Sequence, residues 1–271
     1  MQTDTERDYE ISEKIKNMCF AAREAWLQLA NLSDGTRNTI LEKTAARVAA
    51  EKAVILAANA RDIETGRADG LSDALIDRLT LNENRFQGLL RSLHEIKALP
   101  DPLGLTLETR ERPNGLKITK ISVPIGVIGL VYESRPNVTI EAGALAIKSG
   151  NAMILKGGKE AYHSNQALAK CFVHVFEAMG LQSGIVSLIP FKERTALQVL
   201  LQQKATVDLI IPRGGEGLIN FVAAHSLIPV LKHYKGLCHT YIDREADYQK
   251  AIKIAINAKA TQETLVNVIK L

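Results

Sequence analysis

Cysteine is scarce in this 271-residue chain, with Cys19, Cys171 and Cys238 as its three. An odd number at such wide spacings supports neither a disulfide framework nor a zinc site. Aromatic residues are also few, at 5% with one Trp, and no Lys/Arg block is interleaved with them, so the pattern of a nucleic-acid-binding face is missing. No apolar run approaches the roughly 20 residues of a membrane-spanning helix, and no basic stretch followed by an apolar segment marks the N-terminus. A cytoplasmic protein with no nucleic-acid and no membrane partner is expected. The net charge of +4 is modest and fits a mildly basic pocket for a phosphorylated small molecule.

What is present points to a globular α/β protein. The chain is 46% hydrophobic, enough to fill a core at this length, and its charged residues, 24% of the total, are spread in both signs. Only the polar start, Met1 to Tyr9, reads as a disordered tail. From Ser12 to Leu99 the pattern is helical: Ile15, Met18, Cys19, Ala22, Trp26 and Leu29 recur at the spacing of one helix face. Thr36 is placed to cap a long helix carrying Ile40, Leu41, Val48, Ile55 and Leu56, and Ser72 and Asn82 to cap two shorter ones. The last of these turns Phe86, Leu89, Leu90, Leu93 and Ile96 inward before Pro100 and Pro102 end it.

The period then changes. "LTLETRERPNGLKITKISV" alternates polar and apolar residues around Pro113, Asn114 and Gly115, which predicts a β-ribbon with one face solvated or packed on another subunit. Beyond it, short apolar runs alternate with helical segments: "IGVIGLVY", "NAMILK", "GIVSLI", "VDLII" and "CHTYID". This predicts a parallel sheet covered by helices on both faces. A helix over about 161–179 presents Leu168, Cys171, Phe172, Val175, Phe176 and Met179 on one side, with Gly180 placed to end it. The expected domains are a helical region over 1–103, a ribbon over 104–123, a Rossmann-like domain over 124–256 and a remainder over 257–271.

In open α/β sheets ligands bind beyond the carboxyl ends of the strands. Three segments follow such ends: "YESRPNV" (132–138), "LKGGKEA" (155–161) and "IPRGGEGLI" (211–219). Gly157 and Gly158, flanked by Lys156 and Lys159, form a turn suited to phosphate or ribose. Gly214, Gly215 and Gly217 open a second strand-to-helix turn, where free amides and Arg213 favour an anion. Each turn read singly is equally compatible with glycine used for steric reasons alone. Asn137 reads either as a donor to a developing oxyanion or as a turn or helix-capping asparagine. Cys19 and Cys171 fall on apolar helix faces and read as inert core residues. Cys238 and His239 are adjacent in an expected strand, where successive side chains point apart, so they make a poor catalytic dyad.

Taken together, "SVPIGVIGLVYESRPNVTIEAGALAIKSGNAMILKGGKEAYHSN", "VDLIIPRGGEGLI" and "IPVLKHYKGLCHTYID" resemble the gamma-glutamyl phosphate reductases, or glutamate-5-semialdehyde dehydrogenases, of the aldehyde dehydrogenase superfamily. The resemblance spans about 12–259. It implies an aldehyde-dehydrogenase-like fold made of N-terminal helices, a Rossmann-like parallel sheet and a β-ribbon for homo-oligomer formation. It implies NADPH as cofactor and the reduction of L-glutamyl 5-phosphate, through a thioester on a cysteine, to L-glutamate 5-semialdehyde in proline biosynthesis. It places Lys156 near the adenosine ribose, Arg213 to Gly217 against the cofactor phosphates and Asn137 near the oxyanion, with no metal.

One segment departs from the family pattern. After "NAK" the family continues with glutamine, arginine, proline, glycine, a variable residue, the nucleophilic cysteine and asparagine before reaching "ETL". Here Ala260, Thr261 and Gln262 alone separate Lys259 from Glu263. The resemblance thus implies a C-terminally truncated chain in which the nucleophilic loop is missing and the catalytic domain is largely absent. Two expectations follow: an oxidoreductase by family, or a remnant without catalysis that binds NADPH or oligomerises.

Overall fold

The computed structural model describes residues 4–232, 238–260 and 267–268. The chain divides into two compact units, 1–232 and 233–271. In the first, five helices precede any strand: α1 (Asp4–Ala30), α2 (Asp34–Ala50), α3 (Lys52–Ala68), α4 (Asp73–Leu79) and α5 (Glu83–Ala98). Helix α1 starts well before the expected boundary at Ser12. Ile11 is fully buried and Arg7 bonds Glu193 at 3.0 Å, so tertiary contacts order the segment that composition marked as a tail. The long helix expected after Thr36 is two helices, broken at Glu51, whose φ of −87° and ψ of 10° leave the helical region. Its cap is Ser33, not Thr36: Thr36 is the residue whose amide donates to Ser33 Oγ, at 3.2 Å. Asn82 caps α5 through the amide of Arg85, while Ser72 precedes α4 without a side-chain capping bond.

Strands β1 (Thr106–Glu111) and β2 (Lys117–Ile121) form the antiparallel ribbon. Gly115 takes a φ of +82° at its turn, a conformation that glycine adopts without a Cβ clash. Every residue of both strands is exposed, including Leu107, Ile118 and Ile121.

The central sheet holds four parallel strands in the order β5-β4-β3-β6: β3 (Val127–Tyr132), β4 (Ala152–Lys156), β5 (Val186–Leu188) and β6 (Leu209–Arg213). Between them run α6 (Asn137–Lys148), α7 (Tyr162–Ala178) and α8 (Arg194–Leu201), and α9 (Glu216–His225) follows β6. The alternation of strand side chains builds two cores. Ile128, Leu130, Tyr132, Met153 and Leu155 join α6 and α7, with α2 and α5 packed in the same cluster. Val127, Val131, Ala152 and Ile154 join Ile11, Ile15 and Cys19 of α1 and Leu197 and Leu200 of α8. Both β3 and β4 are buried over their whole length, which explains their continuous apolar sequence. Each fully buried large apolar side chain contributes about 1.5–3 kcal/mol, so the helical region is built into the two faces of the sheet.

In the second unit, β7 (Cys238–His239) pairs in parallel with β8 (Asn267–Val268), and α10 spans Tyr248–Ala260. The run "CHTYID", expected as a further strand of the central sheet, supplies only the two residues of β7 to this separate pair. The joint inferred between Lys259 and Glu263 and most of the remainder after it lie outside the described residues, as does the side chain of Cys238.

Candidate functional site

Strands β4 and β6 flank β3, and their register aligns the strand ends: Val131 pairs with Lys156 and Tyr132 with Arg213. The three segments singled out in the sequence therefore leave the sheet on one edge. They meet different environments there.

Gly157 and Gly158 border a cleft lined also by Lys159, Tyr162 and Asn165, and closed by Leu188 at the end of β5 and by Ile189, Phe191 and Lys192 after it. A Cβ on Gly157 would collide with the Asn165 amide and meet the Tyr132 ring at 3.2 Å, so glycine is required there by packing. Lys156 is 8% exposed and its Nζ donates to the Gly157 carbonyl at 3.1 Å. Burial lowers its pKa from the usual lysine value, against an opposing pull from the Glu160 and Glu193 carboxylates. Glu160 also ties this turn to the β3 loop, because its Oε1 accepts from the Ser134 amide at 2.6 Å and from Ser134 Oγ at 2.8 Å. Ser134 has a φ of +47°.

Behind the cleft, α7 is held by residues that no local pattern marked. Asp62 on α3 is buried and accepts from the amides of His163 and Ser164, at 3.0 and 2.7 Å, and from Ser164 Oγ at 2.6 Å. Asn59 donates to the same hydroxyl at 3.0 Å. The amides at the start of α7 thus have a carboxylate partner already. A bound phosphate would have to rely on the glycine turn and the lysines.

The second glycine turn is open, and another carboxylate holds it. Glu133 Oε2 accepts from the Gly215 amide at 2.8 Å, and the Glu133 amide donates to the Arg213 carbonyl at 3.2 Å. Arg213, Gly214, Gly215 and Gly217 are all exposed. A Cβ on Gly217 would meet nothing within 4 Å, so packing does not require glycine there. The anion expected at this helix start is supplied, in this conformation, by the protein itself.

Asn137 is the first residue of α6. The residue in the capping position is Pro136 and no side chain caps the helix, so the capping reading is wrong. Its Nδ2 donates instead to Glu141 Oε1, one turn along, at 3.1 Å. The thiols of Cys19 and Cys171 are buried, and burial pushes their pKa up to about 12 and about 11. Both are core residues, as their helix faces suggested. No group of three or more His, Cys, Asp or Glu among the described residues could hold a metal ion, and no helix there is long and apolar enough to cross a membrane.

Comparison with known proteins agrees with this architecture. The model of the aldehyde dehydrogenase family matches residues 8–263. The chain is 45% identical over 260 residues to a gamma-glutamyl phosphate reductase of Geotalea daltonii, covering 96% of this chain and 62% of that protein. A crystal structure of gamma-glutamyl phosphate reductase from Thermotoga maritima superposes with a TM-score of 0.84 at 36% identity, over 90% of this chain and 59% of that one. The corresponding Saccharomyces cerevisiae structure gives 0.75 at 33% identity, over 93% and 64%. The chain thus spans about 60% of the length of these relatives.

Proposed function

The chain belongs to the aldehyde dehydrogenase family, a pyridine-nucleotide-dependent family, and from that premise we propose that it forms the NADPH-binding part of a gamma-glutamyl phosphate reductase. The reaction would be the reduction of L-glutamyl 5-phosphate to L-glutamate 5-semialdehyde, with release of phosphate, in proline biosynthesis. The cleft at Gly157 and Gly158 carries this reading. It combines a turn in which a side chain would clash, apolar walls at Leu188, Ile189 and Phe191, and two lysines in its lining, Lys159 and Lys192, with the buried Lys156 bonded to the Gly157 carbonyl beside it. When bound, NADPH supplies hydride. The positive charge of Lys159 and Lys192 favours the dinucleotide bearing the additional phosphate, hence NADPH over NADH.

In this reading Lys156, Gly157 and Gly158 hold the ribose end. Arg213 and the amides of Gly214, Gly215 and Gly217 meet the phosphates once Glu133 has turned away, and Asn137 turns from Glu141 to donate to the substrate oxyanion. The exposed ribbon would serve assembly of a homo-oligomer. A cytoplasmic site of action accompanies this biosynthetic role.

A second reading, binding without turnover, is favoured by the two described thiols. Neither Cys19 nor Cys171 can supply a thiolate near neutral pH, because burial raises both. Supplying the semialdehyde, phosphate and NADP⁺ separates the readings: appearance of NADPH supports the reductase, whereas tight NADPH binding with no turnover supports the second. A chain that binds neither NADPH nor NADH would overturn both.

A further inference from the structure

We propose that Asn165 is a nucleotide-binding residue, its side-chain N–H donating into the Gly157–Gly158 cleft to an oxygen on the adenosine half of NADPH. The assignment rests on the dinucleotide reading above and adds to it a specific donor and the residues that orient it. Asn165 is 2% exposed. Its Oδ1 accepts from Thr139 Oγ1 at 2.9 Å, and Tyr132 Oη lies 2.7 Å from the same Thr139 oxygen. A threonine hydroxyl has one proton. With that proton directed at Asn165, the phenol of Tyr132 must be the donor to Thr139. Burial raises the Tyr132 pKa, so the phenol keeps the proton that this chain requires.

The relay from Tyr132 through Thr139 fixes the Asn165 amide with its acceptor turned inward and its donor turned out. That donor, Nδ2, has no hydrogen-bond partner among the described residues. It differs from the sealed nitrogens of Trp26 and Gln166, because it reaches the cleft beside Gly157, where a Cβ would fall on it. A donor that opens on the cleft and has no protein partner is available to an acceptor on a ligand. Lys159 and Lys192 line the same cleft, and the phosphate that distinguishes NADPH from NADH is carried on the adenosine ribose. Donor and charges therefore address the same half of the molecule.

The test uses the 271-residue chain, with NADPH and adenosine 2′,5′-bisphosphate as probes, and circular dichroism and the thermal midpoint as checks on folding. Asn165→Asp replaces the donor by an oxygen and should weaken both ligands by about tenfold or more. Thr139→Val removes the hydroxyl that holds the amide and should weaken them about threefold, while Thr139→Ser restores parental affinity. Folded N165D binding both probes as the parent does, or T139V and T139S behaving alike, would overturn the assignment and leave the dinucleotide reading intact. If N165D does not fold, the Thr139 pair decides. A parent chain that binds neither probe removes both the assignment and the reading it rests on.

Discussion

The two glycine turns at the carboxyl ends of β4 and β6 look alike in sequence and differ in the structure. The turn at Gly157 is pressed against the Asn165 amide and the Tyr132 ring, borders a cleft and is backed by a helix start whose amides Asp62 already holds. The turn at Gly215 lies on the surface, with Glu133 bonded to its amide. The first is fixed by packing on several sides. The second has a carboxylate of its own chain bonded to its amide, and under the proposed reading a ligand phosphate would displace it. A glycine pair therefore says that backbone comes close to something, and its neighbours in space decide whether that something is a ligand or the protein.

The sharpest contrast between the turns is a methyl group. Gly157→Ala should destabilise the chain by about 2 kcal/mol through overpacking and weaken NADPH by more than about tenfold by moving Asn165. Gly217→Ala should be neutral or stabilising by up to about 1 kcal/mol, since it replaces a helical glycine in open space. Denaturant melts and fluorescence titrations of both variants check this, and equal effects would end the distinction between the turns.

Charge at the buried turn gives the next effect. Burial holds the Lys156 pKa below 10.5, so NADPH affinity should fall as pH rises through that lowered value, by about tenfold. Lys156→Arg should flatten the profile, because arginine stays protonated. Stability moves in the opposite sense. The unfolded chain holds the Lys156 proton more tightly than the folded one, so folding becomes more favourable as pH approaches 10.5. Affinity titrations from pH 7 to 10 on parent and variant measure the first effect, and melts over the same range the second.

The smallest effect belongs to the exposed turn. Glu133→Gln removes the negative charge that competes at the α9 N-terminus and should tighten NADPH about threefold, consistent with the modest worth of a charge at an exposed helix end. Adenosine, which has no phosphate, should bind parent and E133Q equally. A loss of NADPH affinity would mean that Glu133 assists the site.

Much of this fold was legible in the chain. The ribbon around Gly115 and the buried runs of β3 and β4 each carry a local signal, a turn tripeptide or an unbroken apolar stretch bounded by polar residues. The start of α1 was missed because Arg7 and Ile11 are ordered by distant partners, Glu193 and the second core. Among the candidate site residues, Lys156 and Gly157 stood out by composition and position. Asn165 did not, since an asparagine inside a helical stretch has no period or spacing to mark it. Glu133 was equally silent: its role depends on β3 and β6 lying side by side.

By itself the sequence determined which segments alternate, which are apolar throughout and where glycine interrupts them, because those features follow from backbone geometry and the removal of apolar surface from water. Only the tertiary structure decided what each glycine turn faces. Hydrogen bonds act over about 3 Å, and the partners concerned stand far apart in the chain: Asp62 with Ser164, Glu133 with Gly215, and Thr139 with Asn165.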